Sequence, residues 1–143
     1  MPAMYHAFFP YVLGILLSWI TLSGAARMGG SEARRFLTLI IAIVIAGFVG
    51  FPLEMGHRVA VMYEIGAIVV LGALTAASIR SSALLLGAAW FGHGLWDLLH
   101  IVGASATDKP LWVTQVCVPY DWIGAAWIVW RRPGDAPRPI AGP

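Results

Sequence analysis

The chain has 143 residues, 59% of them hydrophobic and 11% charged, with a formal net charge of +2. Soluble domains carry about a quarter charged residues, so this composition argues against a water-soluble globule and predicts a one-domain integral membrane protein. The basic residues are too sparse for a nucleic-acid surface, and the single cysteine, Cys117, excludes an internal disulfide framework.

Five apolar segments follow one another, at about 7–26, 34–53, 59–79, 81–102 and 111–130. Each has about 20 residues, or about 30 Å as helix, the thickness of the hydrocarbon core. The predicted fold is therefore all-α: a bundle of five transmembrane helices within residues 1–132, followed by a mobile tail over 133–143. Alanine, glycine and leucine dominate and no alternating pattern appears, which argues against a β-barrel. The first segment does not read as a signal peptide, because no Lys or Arg precedes it and Arg27 follows it. Residues 27–35 form a short solvated turn. Small residues at four-residue spacing (Gly72 and Ala76, Ala73 and Ala77, Ala88 and Gly92) suit close helix approach. Pro110 suits the first position of the fifth helix, and Pro119 is expected to kink it, freeing the carbonyl of Gln115 near Cys117 and Asp121. The tail, Pro-Gly-Asp-Ala-Pro-Arg-Pro from Pro133, cannot sustain a helix.

With five spans, Arg27, Arg34, Arg35, Arg80, Arg131, Arg132 and Arg138 fall on one side, leaving Arg58 and Lys109 opposite. The positive-inside rule then sets the N-terminus outside and the C-terminus in the cytoplasm, as a multi-pass protein of a bacterial inner membrane. Carboxylates and imidazoles collect on the outer half: Glu54 and His57 between spans two and three, Glu64 deeper in span three, His93, Asp97 and His100 in span four, and Asp121 in span five.

The fourth segment carries the main anomaly. At 100° per residue, His93, Asp97 and His100 fall within about 60° of one another on an apolar helix. A charge at the bilayer centre costs about 3 kcal/mol on insertion scales, so this face marks a candidate site. His57 and Glu64, seven apart, share a face of span three; Cys117 and Asp121, four apart, share one of span five. Three chemistries fit the set. His93, Asp97 and His100 are candidate ligands of a divalent metal such as zinc, iron or manganese. Alternatively Asp97 or Glu64, partnered by a histidine, does acid–base work on a lipophilic molecule in a pocket of Trp90, Trp96, Trp122 and Tyr63, with Glu54 and His57 at its rim. In the third, the polar groups pair across helices and fix the packing.

Single residues have plainer readings too. Glu54, His57 and Arg58 suit an interfacial ion-paired loop. Asp121 suits a helix N-terminus, and Cys117 a small buried apolar residue. Trp112, Trp127 and Trp130 read as interfacial anchors, and His6 as a solvated terminal residue.

The run Trp90-x-x-His93-x-x-Trp96-Asp97-x-x-His100, followed by Cys117-x-x-x-Asp121, resembles a family of small bacterial membrane proteins known only as a domain of unknown function. The family pattern is Trp-x-x-His-x-x-Trp-Asp-x-x-His-His, then Cys-x-x-Cys-Asp, with an upstream Trp-Glu that corresponds to Leu53-Glu54. The resemblance covers about residues 34–130 and implies a membrane-embedded site without naming a reaction. Ile101 stands where the family has its second histidine, and Tyr120 where it has its second cysteine, so a metal here would have fewer ligands.

The expectation is a protein that binds or acts on a small lipophilic molecule, in a homo-oligomer or alone. The alternative is an accessory subunit of a larger membrane complex, touching a pigment, haem or quinone owned by its partner.

Overall fold

A computed structural model describes residues 2–47, 58–103 and 110–135 of the protein. They form five helices, α1 (Pro2–Ala26), α2 (Gly30–Gly47), α3 (Arg58–Arg80), α4 (Ala83–Ile101) and α5 (Leu111–Arg131), with no strand among the described residues. Each corresponds to one apolar segment of the sequence. The largest difference is at the start of α1, at Pro2 instead of about residue 7; α2 also begins early, at Gly30 instead of about residue 34. Glu32 explains the early start: it sits in the first turn and its Oε2 accepts the Gly29 amide at 3.2 Å, satisfying an end donor and complementing the helix dipole.

Among the described residues, two stretches are long and apolar enough by composition to cross a membrane, Phe8–Ala26 with mean hydropathy 1.6 and Val61–Arg80 with 1.8. The other helices carry the polar residues that lower this measure: Glu32, Arg34 and Arg35 in α2, the histidines and Asp97 in α4, and Gln115 and Asp121 in α5.

The helices close into a ring. α4 packs extensively on α5 and α5 on α1, while α3 bridges α4 and α2, and α2 returns to α1. Leu37, Ile41, Leu86, Trp90 and Ile128 are fully buried at the centre. The outside is strongly apolar: Trp19, Ile20, Leu39, Ile43, Met62, Val69, Phe91, Leu95, Trp112 and Trp130 are all exposed.

Glycines set how closely the helices approach. A Cβ at Gly124 of α5 would lie 2.3 Å from the Trp90 ring of α4, and one at Gly94 would lie 2.6 Å from Trp122. On the opposite side of α5, a Cβ at Gly14 of α1 would lie 2.1 Å from the Val116 carbonyl oxygen and 2.8 Å from Pro119. Gly72, of the pair expected at 72/76, marks no close approach, since a Cβ there would meet nothing within 4 Å.

At one end of the bundle the α1–α2 turn, the α3–α4 turn and residues 132–135 meet. Arg34 donates to the Ser78 carbonyl and, at 3.3 Å, to Asp135 Oδ1. The same Asp135 oxygen accepts the Ala83 amide at 2.9 Å, and Ser82 Oγ accepts that of Leu84 at 3.1 Å, so two side chains cap α4. Residues 133–135, expected to belong to a mobile tail, are thus tied to α2 and α4. The chain reaches them through a left-handed turn, with Arg132 at φ 44° and Gly134 at φ 76°.

Candidate functional site

The polar residues of the bundle interior form two adjoining clusters, with α4 contributing to both. One lies on the α4–α5 seam. His93 Nδ1 is 2.7 Å from Asp121 Oδ2 and 3.6 Å from Asp97 Oδ2, and all three side chains are fully or almost fully buried. His93 and Asp97 are one turn apart on α4, so both face α5. Gly94 and Gly124 let that helix come near enough for Asp121 to reach them. Donor atoms of the three residues lie within 4.8 Å of one another. Asp121 Oδ1 is buried and has no hydrogen-bond partner among the described residues.

The other cluster lies on the α3–α4 seam. His100 Nε2 is 3.0 Å from Glu64 Oε1, and Trp96 Nε1 donates to Glu64 Oε2 at 3.3 Å. The second ring nitrogen of His100 is 2.7 Å from the Trp96 carbonyl oxygen, which it can only approach as a donor. The ring therefore presents its other nitrogen to the carboxylate as an acceptor when neutral and as a donor when protonated. The Trp96 indole and the imidazole meet at a steep angle of 79°, with centroids 5.3 Å apart.

His100 consequently stands apart from the metal-ligand group expected for it. Seven residues on a helix keep two side chains on one face but separate them by about 10 Å, too far for one ion. Asp121 occupies the place beside His93 and Asp97 that was expected for His100. Glu64, expected to face the α4 cluster as a whole, meets its His100 end.

The aromatic pocket also divides. Trp96 and Tyr63 line an apolar groove of about 470 Å³ between α3 and α4, together with Met62, Gly66, Val70 and Gly92. Trp122 stacks on Phe91, centroids 5.7 Å apart, in a second groove of about 650 Å³ between α4 and α5. Trp90 lines neither. It is fully buried against Gly124 and Tyr120, so it is a packing residue. Trp127 is likewise packed against the core, whereas Trp112 and Trp130 are exposed as expected of anchors. Glu54 and His57 lie outside the described residues, and Cys117 is half-buried.

Several residues that hold the site carry no charge and were missed from sequence. Ser18 Oγ of α1 donates to the Tyr120 carbonyl at 3.1 Å, and Thr21 Oγ1 is 3.1 Å from the Tyr120 hydroxyl. These bonds fasten α1 to the residue preceding Asp121. Their sequence signal was the four-residue spacing of Gly14 and Ser18.

No family model, curated protein or solved structure matches this chain. Its site stands on its own geometry.

Proposed function

We propose that the chain crosses a bacterial inner membrane five times, with its N-terminus outside, and binds a small lipophilic molecule in the α3–α4 groove beside an acid–base pair, Glu64 and His100. The membrane assignment draws support from the distribution of polarity. Large apolar side chains cover the outside of every helix while Glu64, His93, Asp97 and Asp121 are buried, the reverse of a water-soluble bundle. The inward loops and the start of the tail, which carry most of the arginines, also come together at one end, as alternating spans require.

One observation carries the ligand reading. Trp96 forms part of the wall of an apolar groove and at the same time donates a hydrogen bond to the buried Glu64 carboxylate. A molecule in the groove would lie against an indole whose N–H is already committed, with a carboxylate–imidazole pair behind it. Displacing that N–H with a polar group of the ligand would bring the ligand to Glu64, and a proton would then have a path between carboxylate and imidazole.

The groove can be filled without disturbing the bundle, because a Cβ at Gly66 would meet nothing within 4 Å. In nanodiscs, an aliphatic diazirine probe should label the Met62 and Trp96 peptides saturably, and Gly66→Leu should abolish this labelling while leaving the protein folded. Labelling that cannot be saturated, or that Gly66→Leu leaves unchanged, would overturn the groove as a binding site. For topology, single cysteines are introduced at Ser31 and Ser105 in a Cys117→Ala background. A membrane-impermeant maleimide applied to intact cells should reach Ser105→Cys alone; labelling of Ser31→Cys would reverse the orientation.

A further inference from the structure

The α4–α5 cluster is independent of the groove and has a different composition. It sets two carboxylates against one imidazole, whereas the α3–α4 cluster has one of each. We propose that His93, Asp97 and Asp121 form a site for one divalent transition-metal ion, held between α4 and α5.

Charge leads to this conclusion first. The described arginines lie at helix ends, in the turns or in the residues after α5, and no lysine is among the described residues, so no fixed cation stands in the middle of α4 or α5. A dication with two carboxylates and a neutral imidazole sums to zero, which suits an interior that solvates charge poorly. The second support is Asp121 itself. Its Oδ1 is buried and makes no hydrogen bond among the described residues, and a carboxylate oxygen in that position is a lone pair available to an ion.

Geometry supplies the rest. The three donors come from two rigid helices clamped by Gly94 and Gly124, with His93 Nδ1 and Asp121 Oδ2 already 2.7 Å apart. Two ligands of one tetrahedral ion, each about 2.0–2.1 Å from it, stand about 3.3 Å apart. Loading therefore needs the pair to open by roughly half an ångström, within reach of a side-chain adjustment. One nitrogen and two carboxylates favour zinc, manganese or ferrous iron over the softer copper(I). Three protein ligands leave a coordination position open, the pattern of reactive rather than structural metal sites.

The test uses the full chain in nanodiscs, purified without chelator, loaded with zinc, manganese or ferrous iron under anaerobic conditions, and desalted before elemental analysis. About one ion per chain should be retained by the wild type, and Asp121→Asn should retain at least about tenfold less. His100→Gln should retain as much as the wild type, which separates this set from one that includes His100. In parallel, cobalt(II) added to the wild type should give visible absorption bands typical of a low-coordinate N/O site. This readout needs no variant to fold, and His93→Gln serves as a second variant should Asp121→Asn prove unstable. Failure of the wild type to hold any of the three metals, or equal retention by Asp121→Asn and wild type, would overturn the site and leave a proton-sharing cluster. Either result is separate from the groove-labelling experiment, which involves no metal.

Discussion

Two polar regions of this bundle, one partly and one fully buried, are built on opposite principles. At the arginine end, Arg34 meets Asp135 and the Ser78 carbonyl, one cation against one anion with a neutral acceptor beside it. The Asp135 oxygen that Arg34 contacts also caps α4. In the α4–α5 cluster, two carboxylates meet one imidazole; among the described residues Asp121 Oδ1 makes no hydrogen bond there, as Arg34 Nε makes none at the arginine end. A balanced network is a sufficient account of its own residues: it joins a tail to two helices. A cluster with more carboxylates than imidazoles, inside an interior that penalises net charge, favours a proton or cation held among them. Buried polarity alone thus does not mark a functional site; the proposed metal site rests on the mismatch in charge.

Three substitutions would break or sharpen this contrast, beginning with the largest effect. Gly124→Val forces α4 and α5 apart at Trp90 and should lower stability by about 3 kcal/mol, since overpacking of a tight core costs roughly 1–3 kcal/mol and a β-branched side chain here meets a rigid ring. A thermal unfolding midpoint close to wild type would show that the seam is looser than its geometry. Arg34→Ala removes the balanced network's cation and should cost about 2 kcal/mol, with much of the loss recovered in an Arg34→Met, Asp135→Asn pair. If the double variant is no more stable than the single, the region is more than a structural tie. Trp96→Phe keeps the groove wall but removes the donor to Glu64, at a cost of about 1 kcal/mol. Its stronger consequence should be weakened or redirected probe labelling in the groove, read by peptide mass spectrometry.

Much of the architecture was legible because helical period and apolar length are local properties. All five helices and the polar face of α4 follow from residue spacing alone. Partner choice was not legible. Spacing puts His93, Asp97 and His100 on one face, but rise along the axis puts His100 two turns from His93, where Glu64 of α3 is its neighbour. That Asp121 completes the His93 group depends on the rotation and depth of α5, which are set by Gly94, Gly124 and Gly14. A glycine's role in close approach depends on what lies opposite it, so Gly72 and Gly124 look alike in sequence and differ in the bundle. The three tryptophans expected to share a pocket separate for the same reason, their faces being assigned by neighbours rather than by period.

The ring closes through α5, the last helix among the described residues, which is held between α1 and α4 by Gly14, Ser18 and Gly124. During synthesis, the ribosome delivers His93 and Asp97 well before Asp121 exists. A chain interrupted after α4 can carry the Glu64–His100 pair but not the α4–α5 cluster. Synthesis of α5 and assembly of that cluster are consequently tied together: products truncated before α5 lack Asp121 and cannot form it.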